Sequence, residues 1–104
     1  MGATKADEGK VPLSLLPTEA LREICKAMQF GVKKYSAHNW RKGMAWSRMH
    51  DALLRHVYDW AERKEGDDES GLSHLAHAGF CLLVLLTYEK LGLGEDDRWD
   101  PNNP

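Results

Sequence analysis

At 104 residues, with 42% hydrophobic and 29% charged side chains, the chain has the composition of one folded domain and excludes a disordered polymer. Its net charge of −2 excludes a global basic field of the kind that gathers nucleic acid or anionic membrane, so a phosphate ligand has to be met by local cations or by a metal. A chain of this size buries only roughly 60–65% of its unfolded surface, which favours completion of the core by a second copy.

Residues 1–12 are polar and read as an extended segment offering Lys5, Asp7 and Lys10 as contacts. This segment lacks the apolar stretch of a secretory signal. The longest apolar run, Ala78–Tyr88, is far below the ~20 residues of a membrane span, so the expectation is a cytoplasmic protein. After Pro17, Thr18 is placed to cap a first helix in which Leu21, Ile24, Cys25 and Met28 recur at helical spacing, ending near Gly31. The sequence VKKYSAHNWRKGMAW follows as a loop rich in cations and aromatics. A second helix is expected from Ser47 to Lys64, with Met49, Leu53, Val57 and Trp60 as its apolar stripe. The turn EGDDESG supplies Asp67 or Asp68 as a cap for a third helix from Glu69 to Leu91. That helix is apolar almost all round, the mark of a central element buried on several sides. Gly92 and Gly94 end it, and residues 93–104 read as a polar tail. Cys25 and Cys81 both fall in apolar helical patterns and read as reduced core residues. There is no strand alternation and no internal repeat. The fold class is all-α, a short antiparallel helical bundle forming one domain over residues 1–104.

Chemistry concentrates in two places. His74 and His77 stand three residues apart and so share a helix face, which Ser70 and Cys81 continue. His56 lies on the preceding helix, and the short connection makes the two helices antiparallel neighbours. With Asp67 and Glu69 just upstream, imidazoles and carboxylates converge at one end of the bundle. Such a set suits a divalent metal: Mg or Mn first, with Zn, Co, Ni or Fe also compatible. Histidines at this spacing also occur as ordinary packing residues. Asp59, Glu62 and Glu65, interleaved with Arg55, Arg63 and Lys64, read as a solvated salt-bridge face. The second place is the loop, where Lys33, Lys34, Arg41 and Lys42 surround Tyr35, Asn39 and Trp40. Cations hold phosphates, rings stack on a base and an amide pairs with its edge; Lys10 and Arg55 are further phosphate contacts. A basic exposed loop folded back on the core has the same composition. One short cluster on a net acidic chain favours a small ligand over a nucleic-acid polymer.

In order, FGVKKYSAHNW, LLRHVYDW and DDESGLSHLAHA resemble the phage dATP/dGTP diphosphohydrolase domain family, a relative of the all-α MazG-like nucleotide pyrophosphohydrolases. The resemblance covers roughly residues 5 to 90. It implies a phage-encoded, metal-dependent enzyme of the bacterial cytoplasm, a homodimer or homotetramer, that cleaves a purine deoxynucleoside triphosphate to the monophosphate and pyrophosphate. Carried onto matching positions, Lys34, Tyr35, Asn39 and Trp40 lie near the nucleotide, and Arg55 and His56 face the site from the second helix. Asp67, Glu69, His74 and His77 supply acids and imidazoles opposite. Two departures stand out: His74-x-x-His77 occupies the place of the usual second carboxylate pair, and Arg63-Lys64 replaces an expected Gly-Glu step.

The expected mechanism has His56, Asp67, Glu69, His74 and His77 as metal ligands, and Glu69 or His74 handling the proton of the attacking water. Lys10, Lys34 and Arg55 balance the leaving pyrophosphate, Tyr35 and Trp40 stack the purine, and Asn39 reads its edge. Three other functions use the same residues: a phosphohydrolase releasing triphosphate or phosphate, a non-catalytic nucleotide sensor, and a helical interaction module.

Overall fold

The computed structural model describes residues 2–104. Among them lie three long helices, α1 (Thr18–Lys34), α2 (Trp46–Ala61) and α3 (His74–Leu91), with single 3-10 turns at Leu13–Leu15 and Asn39–Lys42. No strand forms among the described residues beyond one isolated bridge between Ala45 and Glu95. The all-α expectation holds. No helix among these residues is long and apolar enough to cross a membrane.

Each helix departs from its expected boundaries for a local reason. Thr18 is the first helical residue of α1 and makes no side-chain cap, the boundary falling at Pro17. The helix then runs through Gly31 to Lys34, because Gly31 keeps a helical backbone and its bare α-carbon seats the Phe80 ring of α3, 3.6 Å from where a Cβ would stand. The last turn therefore carries Lys33 and Lys34, where cations favour the negative end of the helix. The second helix stops at Ala61, three residues short of Lys64, since Arg63 adopts a left-handed backbone with φ 64°.

The third helix begins at His74, not Glu69, and its cap is Ser73, whose hydroxyl accepts the Leu75 N–H at 3.1 Å. Residues 67–71 are instead wound around the Asp67 carboxylate, which accepts the N–H groups of Glu69 and Ser70 at 3.1 and 2.9 Å. This Asx turn offers the backbone an alternative to helix, and Gly71 at φ 73° completes it. His74 thus stands at the first position of α3, with His77 one turn in.

Helix α3 packs against both α1 and α2, more extensively against α2. Its buried positions His74, Ala78, Cys81, Val84 and Tyr88 form one stripe, Ala76 is buried on another side, and Ala27 is the buried residue of α1. At the crossing of α1 and α3 the approach is so close that a Cβ on Gly79 would lie 2.6 Å from Ile24 Cδ1. Helix α3 is thus covered on the sides that meet α1 and α2, while a further face stays open, with Leu82 and Leu86 56% and 58% exposed. Cys25 is exposed and only Cys81 is a core thiol, which burial pushes up to about 11. The radius of gyration, 17.0 Å, exceeds the ~13 Å of a closed domain of this length, in keeping with three helices whose outer faces lack a covering layer.

The segment after α3 is not a free tail. Trp46 N–H donates to the Glu95 carbonyl and its indole N–H to the Leu93 carbonyl, both at 2.9 Å. The Asp97 carboxylate then accepts the backbone N–H and hydroxyl of Ser47, capping a helix whose own cap residue, Ala45, has no side chain to offer. Gly94 permits this docking: a Cβ there would collide with the Met44 carbonyl oxygen.

Candidate active site

The imidazoles meet where α2 runs antiparallel to the start of α3. His56 Nδ1 and His74 Nδ1 are 3.0 Å apart, and the His56 ring stacks on His77 with centroids 4.8 Å apart and planes 13° off parallel. The Asx turn brings the Asp67 carboxylate to the same place, 3.9 Å from His77 Nε2. One donor atom each from His56, Asp67 and His74 falls within a common span of 4.8 Å. His74 is only 5% exposed.

The protonation states suit a cation. Burial, with repulsion from His77, holds His56 below its ordinary range, and burial does the same for His77. Both rings are therefore neutral near pH 7, with a lone pair to offer. Burial pushes the Asp67 carboxyl up, but hydrogen bonds from Ser70 outweigh it and carry the group below its usual value, so it is anionic. Donors bound at ~2.1 Å to one cation stand roughly 3.0–3.4 Å apart, which the paired Nδ1 atoms match. Two neutral imidazoles and a carboxylate fit Mn, Fe, Co, Ni or Zn better than Mg, which takes an all-oxygen shell.

The other expected site residues fall into three groups. His77 lies beside the donor set, its Nε2 2.7 Å from the Ser70 hydroxyl and its ring edge-on to Phe30. Glu69 is exposed and outside the donor set, held in an ion pair with Lys34 at 2.8 Å, though its charge is still felt at His77. Asp59, expected on a solvated face, does pair with Lys64 at 3.1 Å, yet it also comes within 4.0 Å of His74 Nδ1. Tyr35, Asn39 and Trp40 line a separate, largely apolar cavity of about 260 Å³ with Met28, Met49 and Phe80. The loop is held there by the fully buried Tyr88, whose hydroxyl donates to the Trp40 carbonyl. Lys34 stands between the two places, with its ammonium 5.8 Å from the Tyr35 ring centroid and 5.9 Å from that of Phe30. Arg55 is exposed, and its charge is felt at Cys81 rather than at the imidazoles. Lys10 is exposed in the N-terminal segment, where its N–H closes a turn on the Asp7 carbonyl.

The family model for dATP/dGTP diphosphohydrolase, N-terminal, matches residues 2–98. The chain belongs to this family. A dATP/dGTP diphosphohydrolase of Salmonella phage PMBT28 is 34% identical over 105 residues, covering all of this chain and 36% of the phage protein. The chain thus spans about a third of the length of the curated relative that it matches. No solved structure matches it. The family match takes in all three helices and the imidazole cluster.

Sequence reasoning missed Phe80, Met28 and Met49 as cavity walls. They sit on the apolar faces of their helices, and apolar spacing does not separate a cavity wall from a filled core.

Proposed function

We propose that this chain binds a purine deoxynucleoside triphosphate together with a divalent metal and hydrolyses it to the monophosphate and pyrophosphate. The observation that carries the reading is the convergence of His56, Asp67 and His74, two of them from different helices, beside an apolar cavity walled by Tyr35, Trp40 and Phe80. The relative's name supports the substrate class.

His56, Asp67 and His74 would hold the cation, which when bound neutralises phosphate oxygens and makes a water more acidic. The remaining roles belong to the chain. Tyr35 and Trp40 stack the base, and Asn39 meets its edge. Phe80 lies six residues beyond His74 on α3, about 9 Å along the axis, so base and phosphate sites are separated by a stretch that the sugar bridges. Lys34 exchanges Glu69 for a phosphate oxygen, which assigns Glu69 a holding role in place of the expected catalytic one. His77, kept neutral by burial, accepts the proton of the attacking water, and Asp67 stabilises the imidazolium that results.

The reading extends to assembly. Leu75, Leu82, Leu83 and Leu86 are exposed along α3, and burying a leucine contributes roughly 1.5–3 kcal/mol. A second copy covering that face gives a homodimer, or a homotetramer, and light scattering on the purified chain checks it.

Incubation with each deoxynucleoside triphosphate plus Mn or Mg, followed by chromatography, tests the activity. Monophosphate and pyrophosphate from dATP or dGTP are expected. Triphosphate or single phosphate as product, or no turnover of any nucleotide, removes the reading.

A further inference from the structure

A second cavity, of about 550 Å³, opens at His74. Its walls are Trp60, Arg63, Lys64, Glu65, Ser73 and His74 among others, so it is polar where the first is apolar. It runs from His74, one of the clustered imidazoles, to the turn that ends α2. In that turn, Arg63 N–H donates to the Trp60 carbonyl and Lys64 N–H to the Asp59 carbonyl, the bonding of a helix closed by a left-handed residue. Glycine is the default at such a position, because a Cβ there clashes with the backbone. This chain keeps arginine, at φ 64°.

The two cations of the cavity are not equivalent. Lys64 is shared between Asp59 and Glu62 at 3.1 and 3.4 Å. Arg63 is exposed and makes no ion pair among the described residues. A strained backbone is retained where the side chain that it carries is needed, and here the side chain is an uncommitted planar fork suited to two phosphate oxygens.

We propose that Arg63 binds the β- and γ-phosphates of the triphosphate, and then the departing pyrophosphate, in this polar cavity. The inference rests on the reading above and gives the ligand a direction: base against Phe80, scissile phosphate at His56, Asp67 and His74, terminal phosphates at the end of α2. Glu65, the one carboxylate of the cavity wall, places a negative charge beside the product and so opposes its retention.

Calorimetric titration of pyrophosphate and of dAMP at fixed free Mn, on the wild-type chain and two variants, tests it. Arg63→Gly removes the side chain and relieves the backbone, so its Tm is expected to equal or exceed that of the wild type. Arg63→Gln keeps the strain and removes the charge. Pyrophosphate affinity is expected to fall about tenfold to a hundredfold in both, with dAMP affinity within twofold. Equal pyrophosphate affinity in wild type and Arg63→Gln, or equal losses for pyrophosphate and dAMP, overturns the proposal. Wild-type turnover of dATP and dGTP is measured in parallel. Its absence overturns the parent reading, whereas intact turnover with unchanged pyrophosphate affinity overturns this inference alone.

Discussion

The apolar cavity at the loop and the polar cavity at His74 are built from opposite materials. The one at Tyr35, Trp40 and Phe80 is a gap between apolar helix faces, closed by a loop tied to the buried Tyr88. The one at Arg63 and His74 is formed by turns and polar side chains at two helix ends. An apolar gap offers area and shape, with an energy spread over many contacts. A polar cavity beside converging donors offers a few strong, directional interactions whose removal is felt singly. In the proposed function, that difference places base binding on one side and charge handling on the other.

The sharpest way to break this division is His74→Ala, or Asp67→Ala where the buried ring proves necessary for folding. Loss of turnover by about a thousandfold or more is expected, together with weakened Mn binding by calorimetry and unchanged helical circular dichroism; full activity would end the assignment. On the apolar side, Tyr35→Ala is expected to raise KM about tenfold with kcat nearly unchanged, in line with the ~1–3 kcal/mol of a stacked base. The ring is 66% exposed, so its loss leaves the fold intact. A drop confined to kcat would place Tyr35 in the chemistry instead. Asp97→Ala touches neither cavity but removes the remote cap of α2, and should cost about 1 kcal/mol in a denaturant melt with KM and kcat preserved.

Smallest is the effect of pH on the metal-free chain. His56 and His77 both have folded pKa values below their ordinary one, so the unfolded chain takes up protons first. Their contribution to stability is complete above about 6.5 and is lost as pH falls below it; Asp67 adds a loss of the same sign below about 4. Melting temperatures between pH 8 and 5 should therefore decline, and less steeply in His56→Gln.

Much of this was legible in the residues. Helical spacing gave the number and order of the helices, and the short connection after α2 made His56 a neighbour of His74 and His77. The start of α3 was misread because an aspartate before a helix serves equally as a cap or as the centre of an Asx turn. Local sequence does not decide between them when Ser73 is also available. Gly31 was misread as a stop because the ring that it seats, Phe80, is remote in sequence. The docking of Asp97 onto Ser47 spans 50 residues and leaves no periodic trace. Arg63 looked like one more cation on a salt-bridge face; only its backbone angle sets it apart.

Gly79 acts as a shim between the two working halves of the molecule. Lys34 ends α1 and Tyr35 follows it, whereas His74 and His77 ride on α3, and the two helices touch where Ile24 overhangs the missing side chain. Adding one methyl there would wedge the halves apart and lengthen the gauge against which a ligand is measured. Trimming Ile24 to valine in the same chain would close it again, so this crossing sets how long a molecule must be to reach both ends at once.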